Sequence, residues 1–334
     1  MTDKRLTLVA VVAVLSAAAT FMTSCGGGDG KKEKAVSSAT VVCDNAFKNI
    51  LNQEIEVFEY VYPNNFILCD YVPQAVAVDS LLSGNTRTAV IGRDITKAER
   101  ATLRKKCSTV RSMKIAVDAV ALIVNPENQI NLLSLKEIGD ILSGTTTRWN
   151  QIAPDGADQQ INVVFDDAGS GLATYMRDSL LNGREFGANV MSVGNVDKVF
   201  EAVKSNRTAL GIIGVSWLTR SLQEADTTDI AKRVESLKSD EAFDGRIINE
   251  AMDQSGVKVL SVMRDDALSY KPYQQYIYDG SYPLTRPIYI ISTNTMGASG
   301  KFYTFVTSVD GQRLIMRTGI MPARMQINVY EVTN

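Results

Sequence analysis

Ile161-Asn162-Val163-Val164-Phe165-Asp166-Asp167-Ala168-Gly169-Ser170-Gly171-Leu172-Ala173-Thr174-Tyr175-Met176-Arg177 is an apolar run, a turn of small residues and the opening of an apolar helix face, in that order. Ile161 to Phe165 has the length and β-branched content of a buried strand. Gly169 and Gly171 free the backbone to turn its N–H groups toward one point, and Ser170 adds a hydroxyl there. Leu172, Tyr175 and Met176 recur at i, i+3 and i+4, the spacing of one helix face. A helix opening at such a turn presents unpaired N–H donors and the positive end of its dipole, which suits an anion. Taken alone, Gly-Ser-Gly is also an ordinary strand-to-helix connection, so its neighbours in the chain decide its meaning.

The same alternation of strand and helix runs through the rest. Thr40 to Cys43 is strand-like, and Asp44-Asn45 caps a helix carrying Phe47, Ile50, Leu51, Ile55 and Phe58. Strands are expected at Asn65 to Tyr71 and Thr88 to Ile91, with a helix at Val76 to Leu82 between them. Thr96 with Glu99 and Ser134 with Glu137 are two capping boxes, opening helices to Lys106 and Leu142. Lys114 to Asn125 is almost wholly apolar and has to be a deeply buried strand, stopped by Pro126. Val196 to Val203 is a helix, and Leu210 to Val215 a buried strand. Val257 to Val262 and Pro287 to Ser292 are further strands, and Phe302 to Thr307 and Gln312 to Thr318 terminal helices. Residues 219–257 are polar and weakly patterned, with helix possible from Ile230 to Met252. The tyrosines from Tyr270 to Tyr282 are expected to pack between lobes, since no basic stripe accompanies them. The class is therefore α/β.

Composition narrows the function. The 334 residues carry a net charge of −2, which gives no long-range field for nucleic acid. Histidine is absent, which removes Ser-His-Asp and Cys-His catalysis and the commonest transition-metal ligand. No metal cluster, cofactor motif or activated nucleophile is legible, so the chain is read as a binder and not an enzyme.

The N-terminus reads as an export signal: Lys4 and Arg5, an apolar run from Leu6 to Phe21, then Met22-Thr23-Ser24-Cys25. The run is shorter than the ~20 apolar residues a spanning helix needs. Cys25 after Thr-Ser, followed by a Gly-rich stretch, resembles the lipobox of bacterial lipoproteins. That resemblance implies a signal peptide at 1–24, a lipidated Cys25, a flexible tether at 25–38 and an extracytoplasmic, membrane-anchored protein on the periplasmic or cell-surface side. Cys43, Cys69 and Cys107 remain; one disulfide or three thiols are both open.

Five segments in order resemble the phosphate-binding proteins of bacterial phosphate ABC transporters, which are type II periplasmic binding proteins. They are Ile115 to Asn125; Leu135 to Gly144 with Arg148-Trp149; Asp167-Ala168-Gly169-Ser170-Gly171; Ala209 to Gly214; and Tyr282-Pro283-Leu284-Thr285-Arg286-Pro287. The resemblance implies two lobes, each a mixed sheet flanked by helices, joined by two hinge-crossing strands and closing over an oxyanion. Lobe 1 would comprise 39–114 plus 287–334, and lobe 2 115–286. It implies a monomer that binds inorganic phosphate or a similar oxyanion and docks on a transporter permease.

Residue by residue, the resemblance carries onto Gly169, Ser170 and Gly171, then Asp44 and Asn45 in the first strand–helix turn, and Arg93 and Asp94 after the Thr88–Ile91 strand. Two positions depart from the family. Asp166 stands where many members have Arg, and Leu172 where they have Thr. Arg93 and Arg177 are the cations available to replace the lost charge. Asp166 could accept a hydrogen bond from monohydrogen phosphate, whereas fully ionised sulfate would leave it unpaired. The alternative is a surface or adhesion lipoprotein that keeps the fold without binding phosphate, or a binder of another oxyanion.

Overall fold

Parallel pairing of Ser37–Asp44 (β1) with Asn65–Val72 (β2) and Thr88–Ile91 (β3) begins the molecule, with Lys48–Val61 (α1) and Gln74–Ser83 (α2) as the crossover helices. The structure is a computed structural model. It describes residues 35–324 except 155–157, 168, 226–228, 239–244 and 265–267, so the expected signal peptide, most of the expected tether and Cys25 lie outside the described residues.

Lys97–Lys106 (α3) leads into Arg111–Val124 (β4), the long apolar strand. Leu132–Ser134 (β5), Leu135–Ser143 (α4), Asn162–Phe165 (β6), Gly171–Leu181 (α5), Val190–Ser192 (β7), Val196–Ser205 (α6) and Ala209–Gly214 (β8) follow. Then come Arg220–Ala225 (α7), Ile230–Ser236 (α8), Gly245–Asp253 (α9), Lys258–Val259 (β9), Ser261–Met263 (β10), Ser269–Tyr270 (β11) and Gln274–Tyr278 (α10). Thr285–Ser292 (β12), Gly297–Val306 (α11), Val309–Arg317 (α12) and Met321–Pro322 (β13) close the chain.

One mixed sheet runs β2-β1-β3-β12-β4-β8-β6-β7. β4 joins its two halves. Its residues through Ala119 pair antiparallel with β12, and from Val120 onward they pair with β8. A strand with neighbours on both edges and layers on both faces has to be apolar throughout, which is why this run lacks alternation. Ile115, Ala116 and every residue from Ala119 to Val124 are buried in the main core. The mixed α/β architecture expected from the sequence is present, with β4 the strand that runs from one half to the other.

Local signals explain most boundaries. Thr96 and Ser134 both form complete capping boxes with Glu99 and Glu137. Gly144 ends α4 in the left-handed region at φ 78°.

Two expectations change. Val257 to Val262 is not one strand, because its residues have two partners: β9 pairs with β4, and after the buried Leu260 β10 pairs with β5. Among its described residues the 219–257 segment holds three short helices, α7 to α9, in place of one helix from Ile230 to Met252. Ile248, Ala251 and Met252 form the buried face of α9. The buried Arg233 of α8 holds this region to α1 through Gln53 Oε1 at 2.8 Å and Glu56 Oε2 at 3.0 Å.

Among the tyrosines, Tyr282 is buried and donates its hydroxyl to the Val120 carbonyl at 2.6 Å, where β4 changes partners. Tyr270, Tyr273 and Tyr276 form a separate ring cluster. Cys43, Cys69 and Cys107 are thiols. Among the described residues no helix is long and apolar enough to cross a membrane.

Candidate functional site

The carboxyl ends of β1 and β6 bring two strand-to-helix turns face to face. This is where open α/β sheets take ligands, because the following helices start there with unpaired N–H groups. In the second turn Ser170 is the N-cap of α5, its hydroxyl accepting from Ala173 N at 3.2 Å. Asp167 Oδ1 accepts from Gly169 N at 2.8 Å, and its carbonyl accepts from Ser170 N at 3.1 Å. Asp166 Oδ1 accepts from Asp167 N at 2.8 Å and from Ser170 Oγ at 3.4 Å.

The first turn meets this one directly. Asp44 ends β1 and caps a 3-10 turn at Asn45–Phe47, its Oδ1 accepting from Ala46 N at 3.2 Å. The same oxygen accepts from Gly171 N at 3.3 Å, across 127 positions of sequence. Asn45 Nδ2 donates to Asp167 Oδ2 at 3.3 Å. Gly171 is required here by space: a Cβ would lie 1.9 Å from Asp44 Oδ2 and 3.2 Å from Gln74 Oε1. Asn49 adds a further tie between the halves, donating to the Ser216 carbonyl at 2.8 Å.

Beneath the turns lies an ion pair on the two long strands. Arg286 of β12 stands directly across from Asp118 of β4 and donates to its Oδ2 from Nε at 3.0 Å and Nη2 at 2.8 Å. Both side chains are 1% exposed. The guanidinium carbon lies 4.5 Å from the Phe47 ring centroid, so the cation also rests on the first turn. Arg286 Nη1, Asp118 Oδ1 and Asp44 Oδ2 are buried without a hydrogen-bond partner among the described residues.

This cluster holds more negative than positive charge. Burial pushes the Asp44, Asp118 and Asp166 carboxyls above the usual carboxylate range, and the Arg286 charge pulls each back toward it. Asp118 opposes Asp44, and Asp44 and Asp167 oppose Asp166. Among the described residues no group of three or more His, Cys, Asp or Glu could hold a metal ion.

Of the expected residues, Asp44, Asn45, Asp166, Gly169, Ser170 and Gly171 are gathered in the two facing turns. Arg93 and Asp94 are not brought into these turns and make their contacts at the head of α3 and on Ser112. Arg93 forms a forked pair with Glu99 at 2.8 Å on both nitrogens, because the capping box fixes that carboxylate at the head of α3. Asp94 accepts from Ile95 N, Ser112 Oγ and Arg100. Arg177 pairs with Asp178 at 3.5 Å. Leu172 is packed in the core.

Sequence reasoning missed Arg286, the one guanidinium in the cluster, and Gln74, whose Oε1 accepts from Gly92 N at 2.7 Å beside Gly171. Arg286 sits inside an apolar strand followed by Pro287, and a cation in such a place is a signal of a buried partner. Asp118, the lone acid inside Ile115 to Val124, is the matching signal.

Comparison with known proteins bears on this arrangement. Residues 30–310 match the model of the PBP superfamily domain. The phosphate-binding protein PstS of Borreliella burgdorferi is 22% identical over 320 residues, covering 93% of this chain and 97% of that protein. An ABC-type phosphate transport receptor from Vibrio cholerae superposes with a TM-score of 0.61 at 20% identity, over 86% of this chain and 100% of that one. PfluDING, a high affinity periplasmic phosphate-binding protein solved with phosphate bound, superposes with a TM-score of 0.58 at 13% identity, over 86% of this chain and 90% of its own.

Proposed function

This chain belongs to the PBP superfamily, and we propose that it is the solute-binding component of a phosphate ABC transporter, capturing phosphate between its two lobes. The observation that carries this reading is the convergence of Gly171 N at the head of α5 and Ala46 N in the β1 turn on one buried point, with the buried Arg286 guanidinium, one nitrogen unpartnered, in the same cluster. A desolvated oxyanion is held by such a set, since oriented N–H dipoles and a forked cation act strongly where water is excluded. Asp166 contributes an acceptor, which favours an oxyanion still carrying a proton over fully ionised sulfate. The names of the relatives, phosphate-binding protein PstS and phosphate transport receptor, support the same ligand.

The protein acts by binding and release: Ser170 Oγ is spent on capping α5 and on donating to Asp166. It is held outside the cytoplasm by a lipid on Cys25, works as a monomer and hands its ligand to a permease. Equilibrium dialysis of the mature chain with labelled phosphate tests the reading. Saturable uptake that excess sulfate does not displace is expected. No uptake well above micromolar phosphate would contradict it and favour a surface lipoprotein that keeps only the fold.

A further inference from the structure

Apart from Arg286 Nη1, the donors that an oxyanion would use in this cluster already face the chain's own carboxylates. Gly171 N and Ala46 N, one from each turn, both donate to Asp44 Oδ1. Ser170 Oγ donates to Asp166, Asn45 Nδ2 to Asp167, and two nitrogens of Arg286 to Asp118. Asp44 differs from the other three acids. Asp167 is held by Gly169 N of its own turn and by the Asn45 side chain, and Asp118 is matched by its strand partner. Asp44 alone reaches from the first turn to the head of α5, with no exposed surface and with Oδ2 unpartnered. A carboxylate on the first N–H of an 11-residue helix is placed as a bound anion would be.

Resting on the phosphate reading above, we propose that Asp44 is a tethered anion occupying the phosphate donors, so that each phosphate captured is accompanied by one proton taken up on Asp44. As a carboxylate Asp44 competes with phosphate for Gly171 N and Ala46 N, and repels it. Once protonated it loses the charge, and its Oδ2–H donates to a phosphate oxygen. The proton comes from solvent and ends on Asp44; no bond to phosphorus changes.

The groups facing Asp44 agree with this. Arg286 of β12 favours the carboxylate, and Asp118 of β4 disfavours it; Asp166 lies close enough for Asp44 to oppose its ionisation. Asp167 and Asn45 flank it in the two turns, Gln74 of α2 is neutral, and Cys43 on the same strand is a buried thiol pushed up by burial. With acids outnumbering the single guanidinium, a further anion is accommodated by discharging the acid that stands in its place.

The test is the ratio of phosphate affinities of Asp44→Asn and wild type between pH 8 and pH 5, measured by titration calorimetry on the mature chain. Asn keeps an oxygen for Gly171 N and offers an NH2 in place of the acid proton. The variant is expected to bind tighter at pH 8, with the advantage shrinking about tenfold per pH unit toward one as Asp44 in the wild type takes its proton. Because phosphate itself titrates equally in both proteins, the ratio isolates Asp44. Wild type measured in two buffers of different ionisation enthalpy should show about one more proton taken up than phosphate chemistry requires, which needs no variant to fold. Asp44→Asn should lose that uptake.

A pH-independent ratio, weaker binding by Asp44→Asn at every pH, or proton uptake kept in Asp44→Asn would each overturn the role of Asp44 while leaving phosphate capture standing. Absence of binding by both proteins at every pH would overturn the phosphate reading and this inference with it.

Discussion

Replacing Arg286 with Met removes the buried cluster's cation, the one there among the described residues, while keeping an unbranched apolar stem of similar reach. The structure gives the cost. Asp118 loses both of its charge-assisted hydrogen bonds, at 3.0 and 2.8 Å, and its other oxygen has no partner to compensate. An acid left alone in a site 1% exposed costs about 3–5 kcal/mol, because neither water nor a counter-charge replaces what was removed. Loss of the contact with the Phe47 ring adds up to about 2 kcal/mol.

The sign of the pH effect follows from Asp118. Its carboxyl is already pushed above the usual range by burial and held down by Arg286, so in the variant it rises further. A carboxyl raised in the folded state costs stability above its unfolded value, and the cost disappears as pH falls toward that value. Urea unfolding of wild type and Arg286→Met at pH 7 and pH 5 checks this, with the penalty expected to shrink at pH 5. The double variant Asp118→Leu, Arg286→Met should recover most of the loss, since an apolar pair leaves no orphaned charge. A single-variant cost below about 1 kcal/mol, unchanged between the two pH values, would refute the reasoning.

Gly171→Ala forces Asp44 off the head of α5, because the new Cβ would sit 1.9 Å from Oδ2; overpacking of this kind costs about 1–3 kcal/mol, read as a lowered urea midpoint. Glu54 of α1 is buried with both oxygens unpartnered and its carboxyl is pushed well up by burial. Glu54→Gln should therefore stabilise the fold by about 1 kcal/mol or more at pH 7. That gain should vanish near pH 4, where the acid is protonated folded and unfolded alike. Arg93→Ala removes a partly exposed pair with Glu99 and should cost no more than about 1 kcal/mol. Phosphate affinity in dialysis should stay within about twofold, because that guanidinium is committed to the cap of α3.

The strand and helix order was legible because the signals were local and strong. β3 matches the Thr88 to Ile91 run, and both capping boxes close as spaced. The long run at Lys114 announced a buried strand because no surface strand tolerates such a sequence. What escaped reading was set by partners distant in sequence. The break at Leu260 depends on β9 and β10 meeting different strands. The short helix α8 of 219–257 is held by docking, its Arg233 pairing with Gln53 and Glu56 of α1.

The site divides in the same way. Its two turns were visible as glycines and caps beside apolar runs, and their residues are gathered together. Arg93 sat at a strand end, where ligand contacts are common, but Glu99 three residues past the cap was already in position to claim it. Arg286 was passed over because a cation within an apolar strand has meaning only with Asp118 opposite, and 168 positions separate the two.

A crystal of the mature chain soaked in phosphate near pH 6 tests the central claim most directly. Phosphate capture at this cluster predicts tetrahedral density against Gly171 N, Ala46 N and Arg286 Nη1, with Asp44 moved back or sharing a hydrogen bond with it. Well-ordered turns with Asp44 still on Gly171 and no phosphate density, at concentrations far above micromolar, would contradict it.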